Sequence, residues 1–396
     1  MKLIEKEFFY VSFTQDNFCL PYYSTLRNNI NDTLFYVSKQ KDSLENLPDK
    51  GTSISLFPSY LHPTFFNENL INIIKIPQKK INGYAIKTDE SRDVKTFIHN
   101  QYKKKFKDNI LKSLSKLENC FTPVYKLYFG EIPLKEYDLL METLKGMLTA
   151  RFNQRGDSAH TLQNWDYYKN TSFESINSKN ASLFVIYANG EPVQISLNHH
   201  YKDVMFISIP SYDINFSKFS LGNISIYKLL EWCIKNEYTL LDLAYGDLEY
   251  KRRWCNYTYT FEHHILYPKN TLFVAIIANI EASIIRLKNT LKSKNMDVFI
   301  TKLKAMAKGK SSFNETPEFE LSQIPEIQPN GLMPINLKKE DRSWLKKAVN
   351  DFLYLNKEHI NDIEIYKLLN RENLYIIKGK HIINKVDFGR FRPARF

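Results

Sequence analysis

Between Ala181 and Ile209 the chain runs through three strand-like segments in succession, and no other stretch limits its fold as much. Ser182-Leu183-Phe184-Val185-Ile186-Tyr187-Ala188 is β-branched and aromatic, and Asn189-Gly190 is the strongest two-residue hairpin signal. Pro192 to Tyr201 forms the return strand. Lys202-Asp203 turns the chain again into Val204 to Ile209. A loop, Pro210 to Leu221, leads to a helix beginning at Gly222 or Asn223 and ending near Asn236. Ile226, Leu229, Leu230, Cys233 and Ile234 make one apolar stripe on that helix. A strand from Tyr238 to Ala244, a short helical turn from Glu249 to Trp254 and a strand from Tyr257 to Tyr267 complete the order β-β-β-α-β-α-β. The order predicts an α/β (α+β) unit, a mixed sheet flanked by helices.

The 396 residues exceed one small core and predict two or three compact units. In the first 117 residues short β-type runs alternate with loops: Phe8 to Val11, Thr33 to Val37, Ser53 to Leu56, Ile71 to Ile76 and Gly83 to Ile86. A basic helix is expected from Val94 to Leu117, with Lys103, Lys104, Lys105, Lys107, Lys112 and Lys116 on its outward face. The expected boundaries are an N-terminal half over 1–117, a second domain over 118–305, a linker over 306–336 and a small C-terminal α/β appendage over 337–396. A long amphipathic helix is expected from Leu272 to Ala307, its later half rich in Lys. The appendage reads as a helix around Lys338 to Leu355, another near Ile360 to Leu369 and a hairpin from Leu374 to Val386.

A formal charge of +12 points toward acidic partners, but Lys, Asn and Ile are abundant throughout, so the excess is diffuse and decides little. Cys19, Cys120, Cys233 and Cys255 are scattered, without disulfide-framework or CxxC spacing, which fits a reducing compartment. Acidic residues interrupt the N-terminus, and the apolar run Leu272 to Ile280 stops at Glu281, too short to span a bilayer. The expectation is a cytoplasmic protein without a transmembrane segment, the Leu272 helix leaving peripheral membrane contact open. No P-loop or GxGxxG occurs. The pairs His199-His200 and His263-His264 lack metal-ligand spacing, so no metal is expected.

Chemistry gathers after the strand that ends at Ala244. Gly246-Asp247 turns the chain and delivers Tyr250, Lys251 and Arg252 to the strand's C-terminal edge, where open α/β sheets place ligands. A phenol, an ammonium and a guanidinium there can polarise a carbonyl or hold a phosphate; a solvated basic helix start is the plainer alternative. Candidates for a base are Asp213, Asp242, Asp247 and His199 or His200. Asp242 alternates with Leu241 and Leu243, so its side chain faces away from theirs, either in a cleft with a raised pKa or paired with a cation. Arg151 and Arg155 fall one turn apart on a helix through Leu140, Leu144 and Met147, suited to a substrate anion or to a surface pair. Ser220, Leu221, Gly222 and Asn223 open the helix after the third strand. Its N-terminus suits a pyrophosphate, with Gly222 letting a phosphate approach, or is an ordinary start capped by Ser220.

Tyr212-Asp213, Ser220-Leu221-Gly222, Asp242, Gly246-Asp247, Tyr250-Lys251 and Trp254, on that β-β-β-α-β-α-β order, resemble the GNAT-superfamily acyltransferases, in the branch of CelD-like proteins and Fem-type (FemAB-like) aminoacyltransferases. Leu221 stands where that branch has Pro. The resemblance covers about Tyr102 to Tyr267 and is strongest from Ala181 on. It implies tandem GNAT-like halves, the first degenerate, followed by the appendage. It also implies an N-acyltransferase that moves an acyl group from acyl-CoA to an amine or hydroxyl of a small-molecule or cell-envelope acceptor. The phosphates would lie on Ser220, Leu221, Gly222 and Asn223. Lys251, helped by Arg252, would neutralise a phosphate or the tetrahedral oxyanion, with Asp213, Asp242 and Tyr250 as further catalytic candidates. Arg151, Arg155, Tyr212, His199 and Asp247 would contact substrate. Two alternatives keep the fold. In one the donor is aminoacyl-tRNA, held by the basic stretches Lys103 to Lys116 and Arg286 to Lys310; in the other the chain is a non-catalytic interaction module. DNA is not an expected partner.

Overall fold

The computed structural model describes residues 3–9, 22–36, 50–65, 68–88, 91–156, 160–293, 318–326, 331–337, 343–369, 371 and 373–389. The N-terminal segment supplies β1 (Ile4–Phe8), β2 (Tyr23–Asn28), β3 (Leu34–Tyr36), β4 (Gly51–Pro58), β5 (Leu61–Phe65) and β6 (Ile71–Lys87). Next come α1 (Val94–Gln101), α2 (Lys104–Cys120), β7 (Val124–Tyr128), α3 (Leu134–Arg155), the short α4 (His160–Gln163) and α5 (Trp165–Asn177). The predicted unit then appears in its predicted order: β8 (Ala181–Ala188), β9 (Glu191–Tyr201), β10 (Val204–Tyr212), α6 (Leu221–Lys235), β11 (Leu240–Tyr245), α7 (Glu249–Trp254) and β12 (Tyr257–Pro268). A 3₁₀ turn, Ile214–Phe219, precedes α6. After α8 (Leu272–Ser293) come β13 (Glu320–Gln323), β14 (Leu332–Pro334), α9 (Ser343–Asn356), β15 (Glu364–Leu368), β16 (Leu374–Lys378) and β17 (Ile383–Asp387).

Among the described residues nine strands form one mixed sheet in the order β1-β4-β12-β6-β11-β10-β9-β8-β7. Both parts of the chain build it, an arrangement compatible with two halves sharing one sheet. The hairpin turn is as read: Asn189 and Gly190 both take positive φ, as a tight two-residue turn requires. One face of the sheet is covered by α1, α2 and α6, whose Phe97, Leu117, Leu229 and Cys233 meet Ile86, Met205 and Leu241. On the other face α3 and α5 pack through Leu140, Leu144 and Ile176 on β8 and β9. Beside them the small sheet β3-β2-β5 packs through Tyr23, Leu26 and Tyr60 on Val204, Phe206 and Leu240.

Three readings from sequence differ from the structure. The basic helix is broken at Tyr102, whose backbone is extended, because its ring packs against Trp254 and its hydroxyl donates to the Trp254 carbonyl. The segment read as linker contributes β13 and β14, which pair with β17 and β15 in a five-stranded C-terminal sheet. Ile360–Asp362 is a single 3₁₀ turn followed by strand β15 rather than a helix, because Ile365 alternates into the core shared with Ile377 and Val386. Val11, Val37, the extension of the Leu272 helix beyond Ser293 and the arginines at 390, 392 and 395 lie outside the described residues. Among the described residues no helix is long and apolar enough to cross a membrane.

Candidate active site

β10 and β11 are parallel neighbours, yet they pair only through Val204/Leu240, Met205/Leu241 and Phe206/Asp242. Beyond that point β10 bulges between Ile207 and Ile209, and β11 loses register with β6 between Asp242 and Tyr245. The strands therefore part toward their carboxyl ends. Beyond Phe206 the inner edge of β10 has no strand partner on β11, while on β11 the Ala244 amide is taken by Asp242 and the Ala244 and Tyr245 carbonyls by Lys251.

Asp242 sits where the strands part. It is fully buried and accepts from Tyr60 Oη at 2.8 Å, from Tyr259 Oη at 2.7 and 2.9 Å, and from the Ala244 amide at 2.7 Å. The last contact holds Ala244 in the left-handed region (φ +58°), a conformation that costs an alanine on the order of 1–2 kcal/mol. Tyr259 reaches the carboxylate only because β6 has Gly83 opposite it: a Cβ there would lie 2.1 Å from the ring. Burial pushes the Asp242 carboxyl up to about 6, and its hydroxyl and amide donors and nearby Lys251 hold it from rising further.

The chain leaves β11 through Gly246 (φ +106°), a conformation open to glycine, and enters α7. Asp247 is held by Tyr84 Oη at 2.6 Å and by both contacts to Arg252 at 2.8 Å. Lys251 is buried. Its Nζ donates to the Tyr245 carbonyl at 2.6 Å and lies 3.5 Å from that of Ala244. Burial lowers its pKa to about 8, with the Asp242 charge opposing. Both groups are therefore charged between about pH 6 and pH 8. Trp254 fixes the end of α7. It is fully buried against Tyr102 and Phe106, and its indole donates to Asn223 Oδ1 at 2.9 Å, tying α7 to the start of α6.

Arg151 and Arg155 of α3 approach this end of the sheet. The Arg151 guanidinium lies 4.5 Å over the Tyr212 ring and 3.5 Å from the Pro210 carbonyl. Burial lowers its pKa, and Tyr212 and Tyr250 are near enough to offset that. Tyr250 is partly exposed; burial raises its phenol, and both arginines oppose the rise. Arg151, Arg155, Tyr212, Tyr250 and Lys251 thus come together around the parting of β10 and β11.

After the 3₁₀ turn α6 begins at Leu221, its start tied to α7 through Asn223 and Trp254. Ser220 precedes it in the left-handed region (φ +56°) and makes no side-chain cap, so the hydroxyl leaves the helix start open. The amides of Asn223 and Ile224 both donate to the Ser220 carbonyl. Gly222 faces open space, with nothing within 4 Å of where its Cβ would be. Asp213, in contrast, is engaged: it caps the 3₁₀ turn through the Asn215 amide at 2.9 Å and pairs with Lys346 of α9 at 3.3 Å.

His199 and His200 stand apart from this group. His199 Nδ1 pairs with Ser208 Oγ at 2.6 Å; His200 binds Ser182 Oγ at 2.7 Å and Tyr238 Oη at 3.0 Å, and lies among Phe129 and Trp232. Both are buried, and burial takes their pKa values down to about 3, so they are neutral imidazoles. The basic face of α2 is partly covered by the appendage, Lys116 Nζ lying 3.5 Å over the Tyr354 ring. Among the described residues no group of three or more His, Cys, Asp or Glu could hold a metal ion.

Sequence reasoning missed Tyr60, Tyr84 and Tyr259, which hold the two aspartates. The one legible sign was the Tyr257-x-Tyr259 alternation opposite a strand containing Gly83. It also missed Lys346, whose contact with Asp213 depends on how the appendage docks.

Residues 105–252 match the family model described as an acetyltransferase (GNAT) domain, a span that runs from α2 into α7 and contains Arg151, Arg155, Tyr212, Asp213, Ser220 to Asn223, Asp242, Asp247, Tyr250, Lys251 and Arg252. Over that span the chain is similar to GNAT acetyltransferase domains, which supports acyl transfer in general terms. No curated protein matches the sequence. The solved structures that resemble it include three at low identity. A conserved protein of unknown function from Bacteroides thetaiotaomicron is 10% identical, with a TM-score of 0.37, covering 56% of this chain and 70% of that one. The C-terminal domain of an Agrobacterium fabrum protein assigned as a lysylphosphatidylglycerol synthetase is 9% identical, with a TM-score of 0.35 and coverage of 60% and 72%. A functionally unknown conserved protein from Staphylococcus epidermidis is 14% identical, with a TM-score of 0.29 and coverage of 55% and 72%. Scores of this size assign neither a fold nor an activity.

Proposed function

We propose that the chain transfers an acyl group from acyl-CoA to an amine or hydroxyl acceptor in the gap between β10 and β11. The observation that carries this reading is the parting of the two parallel strands beyond Phe206 and Asp242, with Lys251 at its mouth and the uncapped start of α6 beside it. The donor's pantetheine arm is an extended chain of amides, and the inner edge of β10, unpaired with β11 beyond Phe206, offers it main-chain partners. Its pyrophosphate fits the α6 start, where the Leu221 and Gly222 amides precede the first intrahelical hydrogen bond and Gly222 presents no obstructing side chain.

In this reading the acceptor's nitrogen or oxygen attacks the thioester carbonyl, negative charge develops on the carbonyl oxygen, and the C–S bond breaks as the tetrahedral species collapses. Lys251 has three N–H donors, of which the Tyr245 and Ala244 carbonyls take two, so one remains for the oxyanion. The Asp242 charge favours the ammonium form of Lys251, and its oxygens are already taken by Tyr60, Tyr259 and the Ala244 amide, so it takes no proton from the acceptor. Tyr250 hands a proton to the departing thiolate and regains one from the acceptor, so one proton leaves nitrogen or oxygen and one arrives at sulfur. Arg151 and Arg155 orient an anionic group of the acceptor.

Calorimetric titration with CoA and acetyl-CoA, on the wild type and on Gly222→Glu, tests the proposal. The substitution places a carboxylate in open space at the helix start, so the fold should tolerate it. Binding in the wild type that is lost in the variant is the expected result. Absence of binding to the correctly folded wild type would remove acyl-CoA as donor.

A further inference from the structure

Helix α8 is apolar on two opposite sides. Val274, Ala278, Ala282 and Ile285 are buried against Ile76, Ile265 and Tyr267 of β6 and β12. The other side carries Leu272, Phe273, Ile276, Ile280, Ile284 and Leu287, all exposed; Leu272 and Phe273 keep 74% and 77% of their accessible surface. At about 100° per residue these six fall within one arc of about 120°, turned away from the core-facing side. Burying one side explains why the helix is docked on the sheet. It gives no reason for a second row of large aliphatic and aromatic side chains in water, and contiguous exposure of this kind marks an interaction surface.

The charges around the arc identify the partner. Arg286 flanks one edge and Lys288 the other, both exposed, and Lys269 stands at the N-terminal end. The helix's one acidic residue, Glu281, is turned out of the arc and bound to Lys6 at 2.7 Å. The rim of the apolar face is thus cationic on both sides. A second copy of the same face would bring like charges together, whereas an anionic lipid surface complements the rim and takes up the aliphatic face. We infer that α8 docks this chain on an anionic bilayer surface, lying in the interfacial plane with Leu272, Phe273, Ile276, Ile280, Ile284 and Leu287 in the acyl boundary and Arg286 and Lys288 at the headgroups. The inference does not rest on the acyl-transfer reading.

Co-sedimentation of the full chain with vesicles tests it, using phosphatidylcholine alone and phosphatidylcholine with phosphatidylglycerol. The wild type should partition to the anionic vesicles and not to the neutral ones. Ile276→Asp/Ile280→Asp changes only exposed positions, so circular dichroism should be unchanged while partitioning falls at least tenfold. Arg286→Gln and Lys288→Gln should each weaken it about fivefold. Failure of the wild type to bind anionic vesicles overturns the inference, as does equal binding by the double aspartate variant. Sedimentation velocity supplies an independent check: a dimer abolished by Ile276→Asp/Ile280→Asp, without vesicle binding, would assign the face to a second copy instead.

Discussion

Asp242 and His200 are both buried polar side chains near the middle of the same sheet, and they are resolved in opposite ways. His200 is enclosed by neutral partners, Ser182, Tyr238 and aromatic rings, and nothing about it changes if it stays uncharged. Asp242 is surrounded by donors and faces a buried cation across the mouth of a gap where two strands part. A hydroxyl-satisfied imidazole stabilises the position it occupies. A buried carboxylate and ammonium beside the parting of two strands are the features on which the proposed function rests, and the Ala244 backbone is held in the left-handed region by its bond to Asp242.

Four measurements separate the roles of Asp242 and His200. Asp242→Ala should have the largest effect: Tyr60, Tyr259 and the Ala244 amide lose their shared acceptor, at about 1–3 kcal/mol for each stranded donor in urea unfolding. Wild-type stability in that variant would mean the carboxylate is not the anchor described. Lys251→Ala should lower kcat for acyl transfer by about 10²–10³-fold, the effect of removing one oxyanion donor, with Lys251→Arg recovering part of it. Unchanged turnover would take the cation out of the chemistry. His200→Ala should cost about 1–3 kcal/mol by stranding two hydroxyls, and leave kcat/KM unaltered. A fall in kcat/KM would move the histidine pair to the site.

The smallest effect, and the most discriminating, is in the pH dependence of stability. His199 and His200 have folded pKa values near 3 against 6.5 when exposed, so the unfolded chain binds more protons between those values. Their contribution is complete above pH 6.5 and is lost as pH falls toward 3. Asp242 has the opposite sign: raised from 3.8 to about 6, it favours folding below pH 3.8 and loses that contribution as pH rises through 6. Unfolding measured across pH 4–6 should therefore become steeper in Asp242→Asn and shallower in His200→Ala. Parallel curves would show that the two regions do not differ as argued.

Much of the second half was legible because its signals are local. The Asn189-Gly190 turn, the stripe on α6 and the alternation of Asp242 with Leu241 and Leu243 each follow from neighbours in sequence. The direction Asp242 faces was readable, but its partners were not, since Tyr60 and Tyr259 come from other strands and the contact requires Gly83 on a third. Tyr102 breaks its helix for an equally distant reason, its packing on Trp254. Ile363 and Ile365 look alike in a helix and in a short strand, and pairing with β16 decided between them. Ser220 is a common capping residue, and only its left-handed backbone reveals that it does not cap.

Strand β6 lies between β12 and β11, pairing antiparallel with both. It is made early: residues 71–87 leave the ribosome well before 240–268, a delay on the order of ten seconds or more at ordinary elongation rates. During that interval a long strand waits with both edges unpaired, and a piece of the chain beginning near residue 105 would expose β11 and β12 in the same way. Formation of the gap is therefore tied to closure of pairings between strands far apart in the sequence, a slow step by its topology. Assembly of the site and completion of the fold become one event.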